Sequence, residues 1–256
     1  MDSIQEKALK MALSGHNLLI TGYPGTGKSF TVARIAEQLQ KQAKNVVLTA
    51  ITGKAAQTLQ EKLPKCLNKV VTTIHKCLGL KDGRYTNDEL VELLSSEESH
   101  EKLKRNVCAM DCLIIDEISM LSLKMIEQVQ HVLSKIRQSD HPFGDVQMIL
   151  CGDFLQLPPI ANQSYNDDGY YCVQSTFVRN CFHHVQLSTI HRQAEPDFIA
   201  AIHQIAGGEI TEETHNLLKR LKRNLPPGTK PVKLYALNLD VEIWNSECLL
   251  DMEVEK

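Results

Sequence analysis

The residues with the clearest chemical meaning form one glycine-rich run, Gly22-Tyr23-Pro24-Gly25-Thr26-Gly27-Lys28-Ser29. The run fits the pattern G-x-x-x-x-G-K-[ST], in which a loop binds the phosphates of a nucleoside triphosphate. Its glycines allow tight turns that direct backbone N–H groups toward phosphate oxygens. We expect Lys28 to reach the β- and γ-phosphates and the Ser29 hydroxyl to bind Mg²⁺. An ordinary glycine-rich turn is the alternative.

The segments on either side of this loop suit phosphate binding. An apolar run, Leu18-Leu19-Ile20, predicts a buried strand over residues 17–21. Residues 29–42 are predicted to form a helix, because apolar residues recur there at helical spacing, namely Val32, Ile35, Ala36 and Leu39. Such a helix points its positive N-terminal end at bound phosphates, which argues against an ordinary turn.

Two adjacent carboxylates, Asp116 and Glu117, follow the apolar run Leu113-Ile114-Ile115, which predicts another buried strand. Ligands of α/β proteins bind at the carboxyl ends of the strands. We expect Asp116 to hold Mg²⁺, directly or through water, and Glu117 to orient and deprotonate the water that attacks the γ-phosphate. A surface turn is the alternative, and the phosphate loop elsewhere in the chain favours the catalytic interpretation.

A third motif covers residues 148–159, where a buried strand ends in Gly-Asp and leads through Gln156 to a stiff Pro-Pro turn. In one interpretation Gln156 lies near the γ-phosphate and reports the state of the nucleotide. In the other it is a solvated side chain of a well-packed turn. The residues alone give the two interpretations equal weight.

Composition limits the class of protein. A chain of 256 residues holds one large or two modest domains. The net charge is −3, so any nucleic-acid surface must be local. The longest apolar runs are strand-sized, which predicts no membrane span. The charged start, residues 1–10, predicts a helix and no signal peptide, and we expect an intracellular protein.

Eight cysteines occur without any C-x-x-C pair. We expect most of them to be reduced thiols in the core. A metal site is the alternative for one group, Cys172, Cys181, His183 and His184. Because neighbouring residues of a strand point to opposite faces, His183 and His184 would not both be ligands.

Predicted strands and helices alternate along the chain. The strands cover residues 17–21, 45–50, 113–116, 146–151 and 184–187, and the helices cover 29–42, 54–63 and about 122–137. This alternation predicts an α/β fold with a mainly parallel sheet and helices on both faces. A polar stretch, residues 81–106, interrupts the pattern with one helix over 87–94, and residues 161–175 form a polar loop. Pro226-Pro227-Gly228 precedes a further predicted strand, 232–237, and indicates a domain boundary.

The order of these motifs resembles the 5′→3′ DNA helicases of superfamily one, specifically the petite-integration-frequency (Pif) branch, with bacterial RecD as a more distant relative. The matching segments are Gln5, GYPGTGKS (22–29), LTAITGKAAQTL (48–59), TTIHKCLG (72–79), LIIDEISML (113–121), GDFLQLPPI (152–160), LSTIHRQAEPDFIAAIHQIAGGEI (187–210) and LYALNLDVEIWNSECL (234–249). They span essentially the whole chain. The resemblance implies a RecA-like P-loop NTPase lobe over residues 1–230, a possible small insertion at 81–106, and the start of a second motor lobe, opening with a strand, at 231–256.

The resemblance also implies roles for single residues. Gln5 would read the adenine edge of ATP, although a solvated helix residue is the alternative. The other nucleotide contacts would be Gly22, Pro24, Gly25, Thr26, Gly27, Lys28, Ser29 and Phe30. Arg192 would contact phosphate and join the catalytic residues Lys28, Asp116, Glu117 and Gln156. Mg²⁺ would be held by Ser29 and Asp116.

The implied partners are single-stranded and tailed duplex DNA, with no membrane. Thr52, Gly53 and Lys54 precede a predicted helix, so their N–H groups and the Lys54 ammonium suit a DNA phosphate. Thr73 and His75 would touch the sugar-phosphate backbone or a base. A histidine packed at a strand edge is the alternative for His75.

Taken as a whole, the resemblance implies an ATP-dependent 5′→3′ DNA helicase whose DNA-stimulated ATP hydrolysis drives translocation on single-stranded DNA. It also implies roles in DNA repair, recombination and telomere maintenance, and a nuclear or mitochondrial location in a eukaryote. The family continues for about one further domain with an arginine that completes the ATP site, so we expect this chain to be a fragment with poor activity alone. Two alternatives are a P-loop ATPase switch that acts on protein and a catalytically incomplete fragment that binds ATP or DNA.

Overall fold

A parallel sheet organises the computed structural model, which describes residues 1–64, 67, 70–81, 83–96, 101–224, 226, 228 and 231–254. Its strands are β1 (Leu18–Gly22), β2 (Val46–Ala50), β3 (Thr72–Thr73), β4 (Cys112–Asp116), β5 (Gln147–Gly152) and β6 (His183–Leu187). The order across the sheet is β3-β2-β4-β5-β1-β6, and every pairing between these strands is parallel. The predicted α/β fold with a mainly parallel sheet is confirmed.

Helices connect the strands. They are α1 (Ser3–Leu13), α2 (Lys28–Lys41), α3 (Gly53–Lys62), α4 (Ile74–Leu78), α5 (Asn87–Ser96), α6 (Glu101–Cys108), α7 (Leu123–Arg137), α8 (Thr176–Cys181), α9 (Pro196–Gly207), α10 (Glu212–Leu221) and α11 (Asn238–Val254). Short 3₁₀ turns cover Ile118–Met120, Pro142–Asp145, Gln163–Tyr165 and Cys172–Gln174.

Both faces of the sheet are covered, as the alternation along β4 shows. Leu113 and Ile115 belong to one apolar cluster, which also contains Ile126 and Val129 of α7. Cys112 and Ile114 belong to a second cluster, which also contains apolar residues of α1 and α2. Since successive side chains of a strand point to opposite faces, these two clusters lie on opposite sides of the sheet. This arrangement explains why all five residues of β4 are buried.

The register brings the carboxyl ends of the strands to one edge of the sheet. Ala50 at the end of β2 pairs with Thr73 on one side and with Asp116 on the other. Asp116 in turn pairs with Cys151 of β5. Thr21, immediately before the glycine-rich run, pairs with Gly152. The segments that carry the predicted site residues therefore leave the sheet at the same edge.

Outside residues 232–237, the predicted strands and helices occur with boundaries shifted by a few residues, and two short consecutive elements over residues 72–78 were not predicted. Strand β3 has two residues, which is too short to show an alternating pattern. The five-residue helix α4 follows it directly, so His75 lies in a helix. The expected strand-edge position of His75 is therefore wrong, while the choice between a packed histidine and a DNA contact is not tested.

Residues 81–106 contribute to the core of the surrounding fold. The predicted helix over 87–94 is confirmed as α5, and α6 is a second helix that the sequence analysis did not predict. Both helices contact α7. Leu90, Leu94 and Val107 are buried in the cluster that also holds α7. Part of the predicted insertion, residues 82 and 97–100, lies outside the described residues.

The strand predicted over residues 232–237 is wrong. Residues 231–235 have no regular secondary structure, and the chain then enters the 17-residue helix α11. The prediction rested on apolar residues such as Val232 and Leu234, which are 89% and 92% exposed. A strand is stabilised by hydrogen bonds to a neighbouring strand, and no strand pairing involves this segment in the described part of the chain.

The chain divides into two units, Met1–Thr211 and Glu212–Lys256. The first contains the whole sheet and α1 to α9, and the second contains α10 and α11. This division falls earlier in the chain than the boundary predicted near residue 230, and Pro227, Thr229 and Lys230 lie outside the described residues. The two-lobe assignment stays a prediction. Among the described residues, no helix has the length and apolar character needed to cross a bilayer.

Candidate nucleotide-binding site

The glycine-rich run forms the loop between β1 and α2, as its pattern predicts. Gly27 is the N-cap of α2 and has left-handed backbone angles, with φ 80° and ψ 24°. Gly25 is also left-handed, with φ 88°. A residue with a side chain is strained in this conformation, so glycine at both positions shapes the loop. The N-terminus of α2 opens into the loop, which suits a bound anion.

Lys28 is the first residue of α2, and its ammonium lies inside the loop. Its Nζ donates to the carbonyl oxygens of Gly22 at 2.7 Å and Tyr23 at 3.1 Å. The Thr26 hydroxyl also donates to the Tyr23 carbonyl, at 2.9 Å. Only 9% of Lys28 is exposed. The positive charge therefore lies where the phosphates of a nucleotide would bind.

The loop packs closely against the segment that follows β6. A Cβ atom on Gly25 would lie 2.8 Å from Gln193 Oε1 and 3.0 Å from the Arg192 Cβ. A side chain at Gly25 would therefore require the Gln193 side chain to move and Arg192 to shift slightly. This close approach brings Arg192, predicted from the resemblance to contact phosphate, beside the loop.

The carboxylates lie on the other side of the loop, at the end of β4. Asp116 is 3% exposed, and its Oδ2 accepts a hydrogen bond from the Ser29 hydroxyl at 3.4 Å. The Glu117 N–H donates to Asp116 Oδ1 at 3.0 Å. Carboxylate and hydroxyl oxygens are the ligands that Mg²⁺ prefers, so Ser29 and Asp116 fit the predicted metal.

Glu117 has a strained backbone conformation with φ 56° and ψ 48°, in the left-handed region that residues other than glycine rarely adopt. Strain of this kind is concentrated at functional sites. Here the left-handed residue separates strand β4 from the 3₁₀ turn Ile118–Met120. The Glu117 side chain lines a cavity that Lys28 and Ser29 also line.

Burial raises the pKa of both carboxyls. Burial raises the pKa of Asp116, against the opposing effects of the Glu117 N–H, the Cys151 thiol, Lys62 and Lys28. Burial, followed by the negative charge of Asp116, raises the pKa of Glu117, while Lys28 and Lys62 oppose that shift. A carboxylate with a raised pKa is a stronger base, which suits the role predicted for Glu117.

Gln156 lies in the loop after β5. Its Nε2 donates to Asp153 Oδ2 at 3.3 Å, and its backbone N–H donates to the Asp153 carbonyl at 3.0 Å. Asp153 is 5% exposed and also accepts from the Leu155 N–H at 3.1 Å. The buried carboxylate therefore holds an exposed glutamine beside Glu117.

Two neighbouring cavities at the site share several lining residues. The first has a volume of about 470 Å³ and is lined by the loop, Phe30 and Arg192. The second has a volume of about 660 Å³ and is lined by Asp116, Thr52 and Lys54. Ser29, Lys62, Glu117 and Gln156 line both. The predicted nucleotide, catalytic and metal residues therefore converge on one region, with a predicted DNA contact, Lys54, at its side.

Lys62 is a site residue that sequence reasoning missed. It is the last residue of α3 and belongs to no predicted motif. Its charge lowers the pKa of both Asp116 and Glu117. The sequence holds no local signal for this role, because Lys62 reaches the site only through the length and direction of α3.

Gln5 is buried, so the alternative that made it a solvated residue is wrong. It is 2% exposed. Its Nε2 donates to the carbonyl of Thr26 at 3.2 Å, and its Oε1 accepts from the Asp2 N–H at 3.1 Å. Helix α1 therefore touches the phosphate loop through the side chain that was predicted to read adenine.

Comparison with known proteins agrees with this geometry. A family model described as PIF1-like helicase matches residues 1–216. The chain belongs to the PIF1-like helicase family. The ATP-dependent DNA helicase PIF1 of Danio rerio is 34% identical over 248 residues, which are 96% of this chain and 36% of that protein. The protein of the same name from Saccharomyces cerevisiae (strain YJM789) is 31% identical over 249 residues, 96% of this chain and 28% of the relative. The chain thus spans about a third of the length of these relatives, 36% and 28%.

Solved structures of PIF1-like helicases share the fold. The crystal structure of Pif1 helicase from Candida albicans matches with a TM-score of 0.83 and 28% identity, over 98% of this chain and 55% of that chain. The crystal structure of Pif1 helicase from Bacteroides in complex with ADP-AlF3 and ssDNA matches with a TM-score of 0.79 and 26% identity, over 97% of this chain and 56% of that chain. The predicted RecA-like fold is confirmed.

The DNA contacts predicted from the PIF1-like pattern lie at helix starts. Thr52 caps α3 and accepts from the Ala55 N–H at 3.1 Å, and Gly53 and Lys54 are exposed in the first turn. Thr73 caps α4 and accepts from the Lys76 N–H at 3.3 Å. His75 lines a separate cavity of about 290 Å³. Their contact with DNA stays a prediction.

A metal site at the cysteines is not supported in this PIF1-like protein. Cys172 is buried, whereas Cys181 is partly exposed at the end of α8 and His183 and His184 are consecutive residues of β6. Within the described ranges, no group of three or more His, Cys, Asp or Glu side chains is arranged to hold a metal ion. His184 instead shares a hydrogen bond of 2.7 Å with the Thr21 hydroxyl.

Proposed function

We propose that this chain contains the ATP-binding motor region of an ATP-dependent DNA helicase. The observation that carries the proposal is the 3.4 Å contact between Ser29 Oγ and Asp116 Oδ2. It joins the phosphate loop to the carboxylates at the end of β4. Lys28, Glu117, Gln156 and Arg192 line the cavity beside this contact. Membership of the PIF1-like helicase family supports the same function.

In the proposed reaction, water attacks the γ-phosphorus of ATP and the bond to the β-phosphate oxygen breaks. Glu117 orients the water and accepts its proton. ADP leaves with the bridging oxygen and the electron pair of the broken bond, and the γ-phosphoryl group with the water oxygen becomes inorganic phosphate. Lys28 stabilises the charge on the phosphates, and Arg192, which lines the same cavity, contacts them. Mg²⁺, when bound, would neutralise phosphate charge, and Ser29 and Asp116 would hold it.

The DNA part of the proposal places a single strand over the carboxyl edge of the sheet. Thr52, Gly53 and Lys54 would bind phosphates there, and Thr73 and His75 would contact the strand further along. A relative of the same fold was crystallised with ADP-AlF3 and ssDNA. Another was studied on forked dsDNA. These likenesses support single-stranded and tailed duplex DNA as the partners of the complete helicase.

The finer proposals follow from family membership. Movement along the strand would run 5′→3′, and the cellular roles would be DNA repair, recombination and telomere maintenance. Action on DNA would place the protein inside the cell, in the nucleus, the mitochondrion or both in a eukaryote.

Nucleotide binding and ATP hydrolysis by the full-length helicase, each measured with and without single-stranded DNA, test the proposal. We expect Mg-ATP binding, and hydrolysis that DNA stimulates. Lys28→Ala should weaken binding and abolish hydrolysis, while Lys44→Ala, an exposed lysine outside the site, should change neither. Hydrolysis that DNA does not change would favour a switch that acts on protein. Nucleotide or DNA binding without any hydrolysis would favour a catalytically incomplete fragment.

A further inference from the structure

Three segments that touch the nucleotide site are joined by one set of hydrogen bonds. The first is the N-terminus of α1, where Asp2 is the N-cap. Asp2 Oδ1 accepts from the backbone N–H groups of Ile4 at 3.0 Å and Gln5 at 2.8 Å. In return, the Asp2 N–H donates to Gln5 Oε1 at 3.1 Å. This reciprocal cap fixes the Gln5 side chain, whose Nε2 reaches the Thr26 carbonyl of the phosphate loop.

The second segment is the phosphate loop, and the third is the segment after β6, which contains His191 and Arg192. His191 contacts each of the other two segments. Its backbone N–H donates to the Gly25 carbonyl of the phosphate loop at 2.8 Å. Its Nε2–H donates to the second carboxylate oxygen of Asp2, Oδ2, at 3.1 Å. A carboxylate only accepts, so the Asp2 contact requires the proton on Nε2. One residue thereby contacts both the loop and the cap of α1.

The three segments also meet by close packing at Gly27. A Cβ atom on Gly27 would lie 2.6 Å from Gln5 Nε2 and 3.6 Å from His191 Cδ2. The Asp2–His191 contact is not deeply buried, since the side chains of His191 and Asp2 are 46% and 21% exposed. Their contact therefore adds little apolar burial, and its main effect is on the position of the groups it joins.

We propose that His191 is a positioning residue that couples Gln5, which is predicted to read the base of the nucleotide, to Arg192, which is predicted to contact its phosphates. The Asp2–His191 hydrogen bond holds the first turn of α1 against the Arg192 segment. In that position Gln5 holds the Thr26 carbonyl of the phosphate loop, and Arg192 lines the cavity over the loop. The inference rests on the proposed ATP site, and it predicts that loss of the His191 side chain weakens recognition of adenine in particular.

The test measures the binding of ADP and GDP, each with Mg²⁺ and a fluorescent ribose label, to the 256-residue chain. Wild type should prefer ADP. His191→Ala should weaken ADP binding by about threefold to tenfold and GDP binding by less. The reason is that the variant loses the hydrogen bond to the Asp2 carboxylate, which holds Gln5, the residue predicted to read adenine. His191→Gln, whose amide N–H can still donate to Asp2, should recover most of the affinity. His141→Ala, an exposed histidine elsewhere in the chain, is the control.

A double-mutant cycle isolates the contact. Asp2→Ser keeps an oxygen that caps α1 but is too short to reach His191. The ADP affinity of the double variant should equal that of the single variant with the lower affinity, because both changes remove the same hydrogen bond. Melting temperatures are measured alongside, since a purely structural role would lower stability without changing the ratio of ADP to GDP affinity.

The outcomes are distinct. An unchanged ratio of ADP to GDP affinity in His191→Ala, with wild type binding ADP, overturns the coupling and leaves the proposed ATP site standing. Additive losses in the cycle overturn it as well. Failure of wild type to bind Mg-ADP at all would overturn the proposed function itself.

Discussion

The Cβ position of Gly152, the last residue of β5, lies 2.8 Å from the backbone nitrogen of Ile118. Ile118 follows Glu117, the predicted base, so the end of β5 sets how far the chain after β4 can approach the sheet. The same position is 3.3 Å from the nitrogen of Ser119. Only a residue without a side chain permits this contact, and the geometry of Glu117 depends on it.

Gly152→Ala should therefore push the turn after Glu117 away from β5. We expect a loss of about 1–3 kcal/mol in the free energy of unfolding, because the new methyl group meets backbone. ATP hydrolysis should fall as well. Gly207→Ala is the matched control, since nothing lies within 4 Å of that Cβ position. Thermal unfolding and hydrolysis rates check both variants, and a Gly152→Ala protein with wild-type values for both would contradict the argument.

Glu117→Gln separates water activation from metal binding. Glutamine keeps the size and hydrogen bonding of the side chain but cannot accept the proton. Mg-ATP binding should be retained while turnover falls by about 10²-fold or more. Calorimetric binding and a steady-state hydrolysis assay measure the two effects. Should binding disappear together with turnover, Glu117 would be a metal ligand or a structural residue instead.

Lys54→Ala tests the DNA contact at the start of α3. A lysine that binds backbone phosphate contributes equally for all sequences, so the variant should bind single strands of different sequence more weakly by a similar factor. The slope of log affinity against log salt should become shallower by about one. Titrations of the full-length protein at several salt concentrations measure it, with Lys44→Ala as the control. An unchanged slope would remove Lys54 from the contact.

Lys62→Ala tests the role of Lys62, a site residue that was identified from the structure and not from the sequence. Its charge faces the two carboxylates and the space for phosphates, so its removal should weaken Mg-ATP binding by about twofold to fivefold. Lys62→Arg should restore most of the affinity, because the positive charge is kept. If Lys62→Ala binds as tightly as Lys44→Ala and wild type, the charge of Lys62 has no part in nucleotide binding.

The sequence predicted those parts of the site whose signal is local. The phosphate loop needs a set order of Gly, Lys and Ser, and the Asp116–Glu117 pair follows an apolar strand, so both are visible as short patterns. Contacts between distant segments leave no such pattern. The hydrogen bond from His191 to Asp2 joins residues 189 positions apart, and Lys62 becomes a site residue only through the direction of α3.

The failed strand over residues 232–237 has a different cause. Val232 and Tyr235 have high strand propensity, but propensity for a strand expresses packing against neighbours rather than a preference of the backbone itself. Helix α11, just beyond them, relies on hydrogen bonds within its own segment and needs no such neighbours. Local patterns therefore predicted the sheet of the first unit well and this segment poorly.

The place of β1 in the sheet has a consequence for biosynthesis. Leu18 pairs with Ile149 on one side and with His183 on the other, so both neighbours of this early strand are made much later. During translation β1 is made before both of its partner strands. Its two edges therefore stay unpaired while more than half of the chain is synthesised. Pairings between such distant segments slow folding and leave aggregation-prone edges open. We expect the yield of folded protein in cells to depend on chaperones that shield nascent chains, and to fall sharply when they are depleted.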